Sequence, residues 1–298
     1  MTDDTPVRDA AQLGAGTDVA TAAQVLRARL LTAGIEAADA EAAWLLEAAT
    51  GLSRAEQVLE RGRVLADDER ERLAGWLRRR EAREPLQLVL GVAPFHGVEL
   101  QMRPGVLVPR PETEQLVELV LASLRTVRAP RVHDVGTGSG AVALALAAAR
   151  PDAHVTASDV DPTAVLVARA NAAAMGLPVT VWASDLLAAP EVRRAVREAH
   201  ALVANPPYLP EGDRGHLPPE VAFDPPEALF AGPDGLAVAR RLAAQAQALL
   251  RPGATMWLEL DPRNAAAFAA ELTAGDGWRA SWVGEDLNGR PRFVTARR

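Results

Sequence analysis

Val132-His133-Asp134-Val135-Gly136-Thr137-Gly138-Ser139-Gly140-Ala141 is the stretch that decides the fold. A short apolar run enters three glycines spaced by single residues, and an Ala-rich stretch up to Ala149 then reads as helix. Strand, glycine turn and helix in that order present backbone N–H groups at a helix N-terminus, where missing side chains let a ligand approach. The next apolar run ends at Asp159, about 20 residues on, where a carboxylate accepts both hydroxyls of a ribose. Ala141 completes G-x-G-x-x-A, so the turn suits an adenosyl cofactor or a nicotinamide or flavin dinucleotide. Asp159 also reads as a helix N-cap ahead of Pro162. Asp185 follows a third apolar run, placed either to reach an adenine or to stand as an exposed loop carboxylate.

Working outward, strands are expected at 131–135, 154–158, 179–182, 201–204 and 254–259, separated by Ala- and Leu-rich helical stretches. That alternation predicts right-handed crossovers and a parallel sheet covered on both faces. Two more strands, at 280–284 and 292–296, follow without a helix between them and predict an antiparallel edge. The fold class is therefore α/β, a seven-stranded, mostly parallel, doubly wound Rossmann-like sheet. Upstream, 19–84 is helical. Val19, Ala22, Ala23, Leu26 and Leu30 recur at helical spacing, 42–49 is a second helix, Ser53 to Glu56 has capping-box spacing, and 67–83 is a fourth helix. Between them, 88–92 and 98–102 read as two strands around a turn at 94–97. The domains expected are a helical one over 1–84, a β-hairpin linker over 85–110 and a sheet domain over 111–298.

Composition removes whole chemistries. Among 298 residues there is no Cys and no Lys, so all 32 basic residues are Arg. Disulfides, thiolate zinc sites, a cysteine nucleophile, Schiff-base lysines and P-loop lysines are excluded, and no metal is called for. A formal net charge of −7 and a pI near 5.4 argue against gripping nucleic acid by phosphate neutralisation. The opening Met1-Thr2-Asp3-Asp4 lacks the basic and apolar regions of a signal peptide, and no apolar run approaches the ~18 residues of a membrane span. A cytoplasmic monomer is expected. The 67–83 helix carries Arg70, Arg72, Arg78, Arg79, Arg80 and Arg83 among acids. That pattern reads first as a solvated face of mixed ion pairs and second as a contact for an acidic partner.

The fourth sheet strand runs into Asn205-Pro206-Pro207-Tyr208 at the carboxyl edge, where open α/β sheets bind ligands. Two prolines fix φ and remove two donors, leaving carbonyl oxygens rigidly presented. An Asn oxygen beside a proline carbonyl accepts both hydrogens of a planar NH₂ group while an aromatic ring packs on its face. Such a nitrogen is a poor nucleophile, so the site works by positioning and electrostatics rather than by a strong base. For an isolated Asn-Pro-Pro-Tyr the bland reading is a Pro-Pro turn with a core tyrosine.

Together these residues resemble class I S-adenosylmethionine-dependent methyltransferases acting on planar amino nitrogens. Leu107-Val108-Pro109-Arg110-Pro111-Glu112-Thr113-Glu114, Pro226-Glu227-Ala228-Leu229, Gly232-Pro233-Asp234-Gly235-Leu236 and Asp286-Leu287-Asn288-Gly289-Arg290-Pro291-Arg292 resemble one branch, the peptide chain release factor N5-glutamine methyltransferases. That resemblance implies a protein partner, the release factor, methylated at the glutamine of its Gly-Gly-Gln motif in support of translation termination, with no nucleic-acid requirement. It implies S-adenosyl-L-methionine as cofactor, held by Gly136, Thr137, Gly138, Ser139, Gly140, Asp159, Asp185 and Leu186 with Asn205 alongside. Asn205, Pro206 and Pro207 would take the substrate amide, and Tyr208 would pack beside it. The chain departs from the family pattern at Leu88, at Asp224-Pro225 and at Asp261. The rivals are a nucleic-acid amino methyltransferase receiving a flipped base, a dinucleotide oxidoreductase or sensor, which leaves Asn205 to Tyr208 without a task, and a non-catalytic cofactor-binding scaffold.

Overall fold

The computed structural model describes residues 13–275 and 277–298; the acidic opening Met1-Thr2-Asp3-Asp4 lies outside them. The chain divides into two compact units, one ending at Gly91 and one running from Val92 to Arg298. In the first, α1 (Val19–Thr32), α2 (Ala38–Thr50), α3 (Arg54–Leu59), α4 (Asp67–Glu81) and α5 (Leu86–Leu90) follow in order. Leu26, Leu30, Leu45, Leu46, Leu73 and Leu77 of α1, α2 and α4 are fully buried against one another. Ser53 and Glu56 form the capping box expected for α3, although α3 itself buries no residue.

The arginines of α4 are mostly occupied inside this unit. Arg80 Nε donates to Glu41 Oε2 at 2.6 Å with both side chains nearly inaccessible. Arg79 holds Glu84 and the carbonyls of Leu88 and Val89, and Arg83 holds the carbonyls of Ala33 and Gly34. A guanidinium binds carboxylate and carbonyl oxygens together through five donors in a fixed planar fork, a geometry an ammonium does not offer. Contacts within the unit thus occupy Arg79, Arg80 and Arg83. One expected strand is corrected. Residues 86–90 form a helical turn between Pro85 at its N-cap and Gly91 in the left-handed region at its end, so the strand begins only at Val92. A short apolar run carries no period to separate the two, and Pro85 and Gly91 supply the start and stop of a helix.

The second unit begins with the hairpin β1 (Val92–Phe95) and β2 (Val98–Gln101), then α6 (Pro111–Ser123), β3 (Arg131–Val135), α7 (Ala141–Ala149), β4 (His154–Asp159) and α8 (Pro162–Ala174). There follow β5 (Thr180–Ala183), α9 (Pro190–Glu198), β6 (Ala201–Ala204), α10 (Ala237–Leu249), β7 (Thr255–Glu259), α11 (Ala265–Ala274), β8 (Ala280–Glu285) and β9 (Pro291–Arg297). Asn171 of α8 pins the hairpin to this unit by exchanging hydrogen bonds with both backbone groups of Gln101, at 2.9 and 3.1 Å.

The seven-stranded sheet has the order β5-β4-β3-β6-β7-β9-β8. β5 to β7 are parallel, and β9 pairs antiparallel with both β7 and β8, as the missing helix between the last two strands predicts. On one face α9, α10 and α11 bury Val192, Val196, Leu242, Ala246, Phe268 and Leu272 against Leu202, Met256, Leu258 and Val294. The strand order reverses between β3 and β6, and ligands bind where parallel strands part in this way. Val135 pairs with Ala204 and Ala204 with Leu258. Gly136, Asn205 and Glu259 therefore leave the sheet, or end it, at one level on three adjacent strands. Among the described residues no helix is long and apolar enough to cross a membrane.

Candidate active site

A cavity of about 570 Å³ opens at that reversal, within the range that holds a nucleoside-sized ligand. Gly136, Thr137, Gly138, Ser139, Asp159, Asp185, Leu186, Asn205, Pro206 and Pro207 all line it. Two of the expected residues do not. Gly140 lies behind the wall, where a Cβ would come within 2.9 Å of Leu144 Cδ1 and 3.3 Å of Ala168 Cβ, so α7 and α8 close on the glycine turn only because a side chain is missing. Tyr208, partly buried, packs against the core cluster and is not among the residues lining the cavity. Burial, reinforced by the charge of Glu259, holds its hydroxyl above the ordinary range for a phenol.

The cofactor wall is local. Gly136, Gly138 and Gly140 all have positive φ, and their N–H groups hold the turn itself, donating to Ser158 O, Asp159 Oδ2 and Thr137 O, while the missing side chains leave the cavity side of Gly136 and Gly138 open. Asp159 Oδ2 accepts from Gly138 N at 2.8 Å and Oδ1 from Asp161 N at 3.0 Å. Each oxygen keeps a further lone pair, the arrangement a ribose diol needs. Asp161, not Asp159, caps α8, accepting from Thr163 N, so the capping role falls to its neighbour. Burial raises the Asp159 carboxyl above its usual range against the pull of those backbone donors. Asp185 lies on the rim in an ion pair with Arg241 at 2.6 Å, both more than half exposed and so of small energetic weight. Leu186 adopts a positive φ of 51°, a strained conformation for a branched-chain residue at the cavity wall.

Asp134, also on the wall, is a carboxyl the sequence reading assigned no role. Burial raises its pKa to about 7, opposed by hydrogen bonds from Thr137 Oγ1 at 2.6 Å and from the backbone of Ala143. A folded pKa above the unfolded value of 3.8 gives stability that is complete in acid and lost as pH rises through about 7. Asp134→Asn accepts the same Thr137 bond without a charge. It is expected to relieve on the order of 4 kcal/mol of destabilisation at about pH 8 and well under about 1 kcal/mol at about pH 4. Urea unfolding at the two pH values measures it, and an equal effect at both would refute the assignment.

The substrate wall is assembled from distant parts of the chain. Asn205 Nδ2 donates to Thr113 Oγ1 at 3.1 Å, and Thr113 Oγ1 donates to Glu259 Oε2 at 2.8 Å. Asn205 Oδ1 is thereby left to the cavity, next to Pro206 and Pro207. Gly235, with φ of 75°, closes on the backbone of Tyr208 from the other side: a Cβ there would fall on the Tyr208 carbonyl, and Tyr208 N donates to Leu229 O. Asp224, the shorter acid in a departure noted from sequence, is buried and joins the two rims. It accepts from Val108 N at 3.0 Å and is ion-paired with Arg110. Thr113 and Glu259 carried a family signature or a strand but no function in the sequence. A buried Glu ending a core strand was the available signal.

A doubly wound sheet with a glycine turn and a strand-end carboxylate at one side of its switch point, and an Asn-Pro-Pro corner at the other, defines the class I S-adenosylmethionine-dependent methyltransferases. Residues 99–216 match the family model "Methyltransferase small domain", and residues 21–91 match "PrmC N-terminal domain". The chain is 49% identical over 271 residues to the release factor glutamine methyltransferase of Deinococcus radiodurans, covering 91% of this chain and 95% of that protein. To the protein of the same name from Mycolicibacterium smegmatis it is 40% identical over 291 residues, covering 95% and 98%. It belongs to the release factor glutamine methyltransferase family. Solved structures share the fold alone. The hMettl16 catalytic domain in complex with the MAT2A 3'UTR hairpin 6 aligns with a TM-score of 0.55 at 18% identity, covering 79% of this chain and 84% of that one. The Thermus thermophilus 16S rRNA N2 G1207 methyltransferase in complex with AdoMet and guanosine aligns at 0.50 and 23%, covering 70% and 49%.

Proposed function

We propose that this enzyme transfers a methyl group from S-adenosylmethionine to the side-chain amide nitrogen (N5) of the glutamine in the Gly-Gly-Gln motif of peptide chain release factors. It would act as a cytoplasmic monomer with the release factor as its protein partner and without nucleic acid. The observation that carries the reading is Asn205, which lines the cavity beside two prolines with its nitrogen engaged by Thr113, so that its oxygen is left to act as an acceptor. Two acceptors on a rigid corner match the two hydrogens of a primary amide.

The residues present fit the cofactor. Gly136, Thr137, Gly138 and Ser139 offer a backbone cradle, Asp159 two free lone pairs, and Asp185 with Leu186 the far wall. When bound, the cofactor supplies a methyl group on a cationic sulfur, an electrophile that needs no metal. What the protein adds is position: Asn205 Oδ1 and the Pro206 carbonyl accept the amide hydrogens, which turns the nitrogen lone pair away from the acceptors and polarises it. No side-chain nucleophile is required, in keeping with a chain that lacks Cys and Lys.

A labelled-methyl transfer assay offering release factor, tRNA, rRNA and DNA side by side tests the proposal. Label is expected in the release factor alone, and label confined to nucleic acid would overturn it. Asp159→Ala is expected to weaken cofactor binding by about 1.5 to 3 kcal/mol, the cost of a lost charge-assisted bond. Calorimetric titration measures this, and unchanged affinity would remove Asp159 from the cofactor wall.

A further inference from the structure

We infer that Glu259, acting through Thr113, fixes which face of the Asn205 amide meets the substrate, and is thus a positioning residue for methyl transfer. The inference rests on the proposed amide substrate. Glu259 is completely buried at the end of β7, and Thr113 of α6 is 4% exposed. The three side chains form a line: Glu259 Oε2 accepts from Thr113 Oγ1 at 2.8 Å, and Thr113 Oγ1 accepts from Asn205 Nδ2 at 3.1 Å. A hydroxyl has one hydrogen. Committed to a carboxylate, it leaves Thr113 with only lone pairs for Asn205, so the Asn amide must present nitrogen inward and oxygen to the cavity.

The other oxygen, Glu259 Oε1, has no hydrogen-bond partner, and its nearest cation is Arg292 Nη1 at 3.8 Å. A buried carboxylate with one bare oxygen is a poor structural element, because burial penalises its charge. A glutamine of the same shape would serve packing as well. Glutamine, however, can also donate. It would free the Thr113 hydrogen to turn toward Asn205 and let that amide flip, presenting NH₂ to the substrate's NH₂. Only a group that cannot donate holds the line in one direction.

The charged and titratable groups facing Glu259 are Arg292 from β9, Arg110 and Glu112 at the start of α6, and Tyr208 after β6. Burial raises its pKa to about 7, with the Thr113 bond opposing. The polarity of the line is accordingly set by a proton near neutrality.

Glu259→Gln is expected to lower kcat roughly 10- to 100-fold while leaving the KM for cofactor within about twofold, because misorienting one contact costs rate rather than cofactor binding. In the wild type kcat rises with pH through about 7, and the variant loses that limb. Its melting temperature is expected not to fall at alkaline pH, since a buried charge has been removed. Thr113→Val should mimic the loss and Thr113→Ser should restore most of the rate. A Glu259→Gln enzyme with wild-type kcat, or one that simply unfolds while Thr113→Val stays fully active, overturns the inference. Asn205→Ala is measured in parallel: if that variant also turns over normally, the proposed function has failed, whereas an inactive Asn205→Ala beside a fully active Glu259→Gln condemns only the relay.

Discussion

Replacing Asn205 by Ala is expected to reduce turnover roughly 100- to 1,000-fold, the range seen when one preorganised polar contact to the reacting group is removed. Cofactor affinity should change by less than about threefold, because Asn205 spends its oxygen on the amide and its nitrogen on Thr113. Truncation costs little stability: Asn205 is only partly buried, and Thr113 keeps its bond to Glu259. Single-turnover methyl transfer at saturating cofactor, paired with direct titration of the cofactor, separates the two quantities. A collapse of cofactor affinity with the rate otherwise preserved would move Asn205 from the substrate wall to the cofactor wall.

The largest stability effect lies in the helical unit. Glu41→Ala removes the carboxylate paired with Arg80, whose side chain is 5% exposed, and leaves a buried guanidinium charge without that counter-ion. Breaking a buried pair on one side costs about 3 to 5 kcal/mol, whereas replacing both partners with apolar groups is often neutral. Hydrogen exchange in α1, α2 and α4 should therefore accelerate by about two orders of magnitude or more, and Glu41→Leu combined with Arg80→Met should recover most of the protection. If Glu41→Ala shifts unfolding by less than about 1 kcal/mol, the pair is no more than a surface contact in effect.

What could be read in advance depended on how far each feature reached along the chain. The β3 turn and Asp159 lie 21 positions apart from Gly138 to carboxylate, and both were visible as a strand, three glycines and an acid at the next strand end. The sheet was visible for the same reason: strand bounds at 131–135 and 201–204 match, and the others differ by one or two residues where helices hand over to strands. Residues 86–90 misled because four apolar positions around Gln87 fit either period, and only the flanking Pro85 and Gly91 decide. Thr113 and Glu259 were out of reach as functional residues. Their contact spans 146 positions, and nothing local to a threonine in a helix or a glutamate ending a strand announces the other. Tyr208 shows the converse limit: its place in Asn205-Pro206-Pro207-Tyr208 was plain, but its packing against the core cluster depends on residues far along the chain.

The two walls of the cavity differ in the order in which a growing or refolding chain can complete them. Gly138 and Asp159 close over a short loop, so the glycine turn and its carboxylate need only β3, β4 and the helix between them. The opposite side waits for contacts over 92 positions between Asn205 and Thr113, 116 between Asp224 and Val108, and 146 between Glu259 and Thr113. Closing long loops is slow, because chain entropy is lost before the contact rewards it. Loop length thus favours closure of the glycine turn on Asp159 before the amide clamp. Competence to transfer a methyl group reports that β7, near the end of the chain, has docked.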